Sequence, residues 1–163
     1  MIKLHIFAKN LFVFFMKTDK PMIKPYTRKV HFYETDQMGI VHHSNYIRWL
    51  EEARIDFMEQ IGFGYHSVSD FGVDFAVLGV SIDYKQSVRF NDIVEIHLAV
   101  SELTTVRMSF KYKILRNEVL CAFGETRHCA IRTQKQKVVS LKKEIPELFD
   151  LFHSFCQNEE KSS

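Results

Sequence analysis

The chain has 163 residues, 46% of them hydrophobic and 26% charged, which predicts one globular domain and excludes a disordered or low-complexity chain. Its net charge of +2 combines +6 in residues 1–29 with −4 in residues 30–163. The body of the chain is therefore mildly acidic, which argues against a nucleic-acid partner.

Residues 1–21 precede the first predicted element and match no step of a fold. Their longest apolar run, from Leu11 to Met16, has six residues, whereas a membrane span needs about 20. A signal peptide needs a longer apolar core and a small-residue cleavage site, and this segment has neither. We predict a dispensable or artefactual extension, with a short membrane-surface or packing segment and a signal peptide as alternatives. Stable insertion into a membrane is not expected.

The first predicted strand covers residues 26–34, which are rich in aromatic and β-branched side chains. A loop containing Asp, Gly and other polar residues follows over 35–43. The hydrophobic period then changes to three or four residues, which predicts a single amphipathic helix. Its buried face is predicted to contain Tyr46, Trp49, Leu50, Ala53, Phe57 and Ile61.

The ends of this helix also have signals in the sequence. Ser44 or Asn45 is expected to cap its start, because a polar side chain there can accept a hydrogen bond from a free backbone N–H. Gly62 is expected to end it. Arg48 and Glu52, four residues apart, are predicted to lie on the face toward water.

The rest of the chain alternates apolar and polar residues, which predicts strands joined by short turns and therefore antiparallel pairing. A C-terminal helix is predicted over 146–155, with Pro146 in its first turn. The fold class is therefore α+β, with one long helix against a curved antiparallel sheet. The later strands are predicted over residues 73–84, 92–100, 104–115, 119–132 and 137–141.

Several well-known catalytic and binding motifs are absent. The sequence has no GxSxG, no HExxH, no P-loop and no GxGxxG. Its three cysteines show no CxxC spacing, which argues against a disulfide framework or a zinc ribbon. We therefore expect reduced thiols in a cytoplasmic protein and no metal site.

The loop that enters the long helix holds the candidate chemistry. A helix N-terminus has free N–H groups and a partial positive charge, so it can stabilise an oxyanion. Gly39 allows a ligand close to the backbone. Asp36, seven residues before His43, has the side chain needed to attack an ester or to activate water. From the residues alone, a turn or capping role is the favoured explanation of Asp36, and a structural or solvated role is favoured for the pair His42–His43.

The segment from Tyr33 to Arg54, YETDQMGIVHHSNYIRWLEEAR, resembles the signature of the 4-hydroxybenzoyl-CoA thioesterase family of hotdog-fold acyl-CoA thioesterases. It fills the pattern T-D-x-x-G-x-V-x-H-x-x-Y followed by E-x-A-R. The wider similarity covers about residues 22–145, and the order of elements matches a hotdog fold, in which a curved antiparallel sheet wraps one long helix. Residues 146–163 then form a C-terminal helix and tail.

The resemblance implies roles for individual residues. Asp36 matches the catalytic aspartate, which acts as nucleophile or as general base for water. His43 matches the position whose backbone N–H polarises the thioester carbonyl, and its side chain matches the histidine of many bacterial members. Tyr33 matches a tyrosine close to the aspartate, so Asp36, His43 and Tyr33 are the expected catalytic residues. Gly39 and Val41 match signature positions that we expect to contact substrate.

The resemblance also implies partners. The substrate would be an acyl-CoA, with acyl carrier protein as an alternative carrier of the acyl group. Coenzyme A is part of the substrate, so neither a catalytic cofactor nor a metal is expected. The family forms homodimers or homotetramers with active sites between sheet-paired subunits. A hotdog protein that binds acyl thioesters without hydrolysing them is the alternative from another functional class.

A phosphate-binding surface is a further expectation. Coenzyme A carries phosphates, and strand alternation puts Arg107, Lys111 and Lys113 on one face of a predicted strand. These three cations are a candidate substrate-binding site. From the residues alone, a solvated strand face is the favoured explanation.

Overall fold

The computed structural model describes residues 21–64 and 68–156. The prediction that residues 1–21 are a dispensable extension lies outside the described residues, apart from Pro21. So does the end of the predicted tail, residues 157–163.

All the described strands belong to one antiparallel sheet. They are β1 (Tyr26–Lys29), β2 (Val73–Tyr84), β3 (Ile93–Leu103), β4 (Arg107–Arg116), β5 (Val119–Arg132) and β6 (Lys137–Val138). The order across the sheet is β1-β3-β4-β5-β2, and β6 pairs with the end of β5. The long strand β2 therefore lies at one edge, although it precedes β3 to β5 in the chain.

The long helix α1 (His43–Gln60) packs its apolar face into the core. Trp49, Leu50, Ala53 and Phe57 are each at most 2% exposed, as the hydrophobic period predicts. Burying each large side chain of this kind contributes roughly 1.5–3 kcal/mol. The predicted class, one long helix against an antiparallel sheet, is therefore confirmed.

The two ends of α1 differ in how well they were predicted. Its N-cap is His42, whose Nδ1 accepts the Ser44 N–H at 3.3 Å, so the expectation of Ser44 or Asn45 as the cap is wrong. Its C-terminus has the predicted Gly62, in a left-handed conformation with φ of 79°. The N–H groups of Gly62 and Phe63 bond back to the carbonyls of Glu59 and Met58, which closes a Schellman motif.

The predicted strand over 26–34 is too long. Pairing with β3 ends at Lys29, and Phe32–Glu34 form a single turn of 3₁₀-helix. This turn directs Glu34 into the protein, where it is 3% exposed. The strand stops here because the side chain of Glu34 bonds to groups in the interior and no longer follows the sheet.

The later elements follow the prediction closely. The observed bounds of β2 and β5 are the predicted ones, and those of β3 and β4 differ by a few residues. The described part of the chain ends in two helices, α2 (Leu141–Glu144) and α3 (Pro146–Cys156). Phe152 of α3 packs against Phe57 and Phe110, at ring separations of 6.1 and 5.9 Å. No helix within the described part of the chain has the length and apolar character needed to cross a membrane.

Candidate active site

The loop between Thr35 and Val41 is closed at its base and holds Asp36 in a defined place. Thr35 and Val41 form an antiparallel bridge, and the Asp36 N–H donates to the Ile40 carbonyl at 2.8 Å. Gly39, with φ of 69°, donates its N–H back to the Asp36 carbonyl. The close turn requires this left-handed residue, which explains the glycine.

The carboxylate of Asp36 is oriented by the backbone. Its Oδ1 accepts the Met38 N–H at 2.8 Å, which forms an Asx turn. Among residues 21–64 and 68–156, no cationic side chain is bonded to Asp36. The helix-capping explanation is wrong, because His42 occupies that position. Asp36 does form a turn, as the alternative explanation expects, and this turn leaves its Oδ2 atom available to other partners.

The start of α1 offers a free backbone donor. The His42 N–H donates to the Glu34 carbonyl, the Ser44 N–H to the His42 ring and the Asn45 N–H to the His42 carbonyl. No described residue accepts the N–H of His43. A free N–H at the positive end of a helix can bind a carbonyl oxygen or an oxyanion. The loop and the start of α1 therefore offer one carboxylate oxygen and one backbone N–H that no described group occupies.

Glu34, which was not among the predicted site residues, joins this loop to the core. Its carboxylate binds Arg28 and Trp49, and its backbone carbonyl accepts from His42 and Asn45. A signal was present, because Glu34 and Arg28 fall on the same alternating face of the predicted strand as Val30. Two opposite charges on an apolar face indicate a buried ion pair.

The predicted site residues Tyr33, Val41 and Gly39 differ from one another in their surroundings. Tyr33 is 77% exposed and stacks on His31, with ring centroids 5.3 Å apart. Val41 is buried in the core, and its N–H bonds to the Val88 carbonyl. The Gly39 carbonyl accepts from Arg89 at 3.3 Å. A catalytic role for Tyr33, and contact of Gly39 or Val41 with substrate, stay predictions.

The three cations on β4 are not brought to this loop. Arg107, Lys111 and Lys113 are exposed, and they alternate with the buried Met108 and Phe110. They therefore lie on the face of the sheet opposite α1. Phosphate binding by them stays a prediction.

A cavity of about 280 Å³ lies between the second half of α1 and the sheet. Its walls are mostly apolar, and Arg54, Glu51 and His128 supply polar groups. Liquid water occupies about 30 Å³ per molecule, so the volume suits a small organic group. The apolar lining includes Ile55, Met58, Phe63, Val73, Phe75 and Phe110.

His128 is the buried titratable group of this cavity. Its Nε2 bonds to Thr126 Oγ1 at 2.9 Å, and Thr126 Oγ1 bonds in turn to the Tyr112 hydroxyl. Its Nδ1 has no described hydrogen-bond partner. Burial, with a further contribution from the charge of Arg54, lowers the pKa of His128 to about 4. The imidazole is therefore neutral at pH 7.

This lowered pKa predicts a pH-dependent stability. The unfolded chain protonates His128 near pH 6.5 and the folded chain only near 4, so stability falls as pH drops through this window. We expect a loss of up to ~3 kcal/mol from this group between pH 7 and 4. Urea unfolding at both pH values should show a smaller loss in His128→Gln. A pH dependence in His128→Gln equal to that of the wild type would contradict this prediction.

Residues 30–149 match a family model described as the thioesterase-like superfamily. The acyl-CoA thioesterase YbgC of Haemophilus influenzae is 24% identical over 122 residues, which are 74% of this chain and 90% of that protein.

Two solved structures share the architecture. A hypothetical protein from Aquifex aeolicus has a TM-score of 0.72 at 38% identity, over 77% of this chain and 98% of that one. The DHNA-CoA thioesterase from Staphylococcus aureus has a TM-score of 0.81 at 24% identity, over 86% and 95% of the two chains. At that identity the second likeness concerns the fold.

Proposed function

Because the chain belongs to the thioesterase-like superfamily and is a thioester hydrolase of hotdog fold, we propose that it cleaves acyl-CoA thioesters at the Asp36 loop. The observation that carries this proposal is a carboxylate in the closed loop and a backbone donor at the first residue of α1, seven residues later. Asp36 has a carboxylate oxygen without a described donor, and His43 has an N–H without a described acceptor.

These two groups suit the two needs of the reaction. The His43 N–H holds the thioester oxygen while negative charge develops on it. The Asp36 carboxylate either attacks the carbonyl carbon, giving an anhydride that water then opens, or removes a proton from an attacking water. In both cases the C–S bond breaks, the CoA thiolate leaves and takes up a proton, and the carboxylic acid is released. No cofactor or metal takes part in this scheme.

A second copy of the chain completes the site in this proposal. The edge strand β2 exposes Val77, Leu78, Val80 and Tyr84, at 39–55% of their surfaces. An exposed apolar edge with unpaired N–H and C=O groups is suited to pairing with an antiparallel copy of itself. The homodimer, and a homotetramer of two such dimers, are therefore proposed assemblies.

If two copies paired about the middle of β2, the Asp36 loop of one copy would lie beside the cavity of the other. This pairing would place Val73, which lines the cavity, opposite the Tyr84 end of the partner's strand. The Tyr84 hydroxyl donates to the His43 carbonyl at 3.4 Å. The loop of one copy would then face the cavity of the other. We propose that this cavity receives the acyl group.

The identity of the thioester is tested by a substrate panel. Purified protein is offered straight-chain acyl-CoAs from acetyl to dodecanoyl, aromatic acyl-CoAs and the same acyl groups on acyl carrier protein, and the released thiol is measured. Turnover of acyl-CoA above turnover of the carrier-protein thioesters supports the proposal. The reverse order would move the assignment to a carrier-protein thioesterase. Binding without hydrolysis on every substrate would indicate a non-catalytic hotdog protein.

Filling the cavity should change the preference for acyl length. Met58 lines the cavity and is half-buried, so Met58→Trp should shorten the cavity without disturbing the packing of the core. We expect kcat/KM for the longest good substrate to fall by about 10-fold or more relative to acetyl-CoA, because several methylenes lose their contacts. Val138→Trp, at an exposed site on β6, is the control. An unchanged length profile in Met58→Trp would exclude the cavity as the acyl pocket.

Cytoplasmic location is also proposed. Cys121 and Cys129 are buried reduced thiols, as is usual in reducing compartments.

A further inference from the structure

Glu34 carries a buried charge that the proposed reaction does not use. It is 3% exposed, and a buried carboxylate is costly unless it is paired and hydrogen-bonded. We propose that Glu34 is a positioning residue, which fixes the position of the Asp36 loop relative to the start of α1. This inference rests on the proposed thioester hydrolysis at that loop.

The side chain of Glu34 is bonded on every side. Oε1 accepts from Arg28 Nη2 at 2.6 Å and from Trp49 Nε1 at 2.8 Å. Oε2 accepts the His31 N–H at 2.8 Å. The carboxylate therefore ties together β1, the second turn of α1 and the turn that precedes the loop. Charge-assisted bonds of this kind are shorter and stronger than neutral ones.

The backbone of Glu34 makes the connection to the oxyanion site. Its carbonyl accepts the His42 N–H and the Asn45 side-chain amide, each at 2.8 Å. His42 directly precedes the free N–H of His43, and Asp36 is two residues after Glu34. One residue thus fixes both ends of the chain segment that bears the carboxylate and the donor. A displacement of about 1 Å between such groups can cost 10²-fold in rate.

A second carboxylate, that of Glu52, bonds to the same guanidinium as Glu34. Arg28 bonds to Glu34 through Nη2 and to Glu52 through Nη1, each at 2.6 Å. Glu52 also accepts from the Tyr26 hydroxyl, and none of its described bonds reaches the loop. The predicted position of Glu52 on the face toward water is therefore wrong in part, since its head group binds β1. Loss of either carboxylate removes one bond to the same guanidinium, but only Glu34 connects to Asp36 and His42.

The test compares Glu34→Gln with Glu52→Gln. A glutamine at 34 has one acceptor oxygen, so its amide NH₂ must face one of three donors, and the turn shifts. We expect kcat to fall about 10-fold or more in Glu34→Gln with KM within about twofold, because orientation in the transition state is lost and ground-state binding is kept. Glu52→Gln should lower the melting temperature less, because the Glu52 side chain is 42% exposed, and should keep kcat within about twofold.

Both variants are measured at a temperature where circular dichroism shows each fully folded. Equal kcat in the two variants would refute the positioning role, and so would a raised KM without a loss of kcat. Asp36→Asn is measured beside them. If Asp36→Asn retains wild-type turnover, the proposed function fails. If Asp36→Asn is inactive while Glu34→Gln matches Glu52→Gln, only the present inference fails.

A second variant keeps the test informative if Glu34→Gln does not fold. Asn45→Ala removes the amide donor to the Glu34 carbonyl and leaves the buried charges intact. We expect kcat to fall several-fold, by about 3- to 10-fold, at unchanged KM, because one bond between loop and helix is lost. Wild-type kcat in this variant would contradict the inference.

Discussion

Asp36→Asn should leave a folded protein that binds its thioester and hardly turns it over. Asparagine keeps the shape of the side chain and the oxygen that accepts the Met38 N–H, so the Asx turn is preserved. The charge needed to attack the carbonyl or to activate water is lost. We expect kcat to fall by ~10² or more with KM nearly unchanged, as when an interaction made in the transition state is removed.

Steady-state kinetics on the best thioester of the panel provides the measurement. Met38→Gln is the control, because it alters an exposed side chain of the same loop and keeps the N–H that binds Asp36. Wild-type turnover in Asp36→Asn would mean that the aspartate serves only the turn. The protein would then act on its substrate through other residues.

Charging the edge strand should abolish both assembly and activity. Leu78 and Val80 are 50% and 39% exposed, so the double substitution Leu78→Lys and Val80→Lys leaves the core intact. In the proposed register the four lysines of two copies lie close together around the two-fold axis and repel one another, and natural edge strands use lysine to prevent pairing. We expect a folded monomer whose kcat/KM is lower by ~10² or more, because the loop no longer faces its acyl pocket.

Light scattering at micromolar concentration measures the assembly, and thiol release measures the activity. Val119→Lys, at a half-exposed position on β5, should remain assembled and active. A fully active monomer of the double variant would show that one copy contains the whole site. A charged variant that still assembles would place the interface elsewhere.

Much of the fold could be predicted from local sequence patterns. The alternation over 73–84 and 119–132 fixes β2 and β5, because side chains on opposite faces meet different surroundings. The first strand was predicted too long because Phe32 and Tyr33 are good strand residues. Their preference is overridden by the bonds that Glu34 makes in the interior.

The candidate site was only partly predictable. A short loop with Asp36 and Gly39 before a helix is a local signal, and the structure confirms the loop, the turn and the helix start. The bond from Glu34 to Trp49 joins residues fifteen positions apart, and the cavity is lined from α1, β2, β4 and β5. Such contacts depend on the three-dimensional packing, which periodicity does not specify.

The position of β2 in the sheet sets the order in which the protein can fold. The strands β3, β4 and β5 follow one another, and the β4–β5 turn has positive φ at Asn117 and Glu118, as tight hairpins require. Strand β2 instead pairs with β5, which comes much later in the chain. The paired residues are separated by 38 positions at Tyr84–Ala122 and by 59 positions at Val73–Arg132. Long closures cost more entropy and slow folding, so the β3–β5 meander forms first and β2 joins it late. The strand proposed to join two copies is thus placed after the meander, and in refolding experiments dimerisation and hydrolysis should be recovered together, after most of the secondary structure.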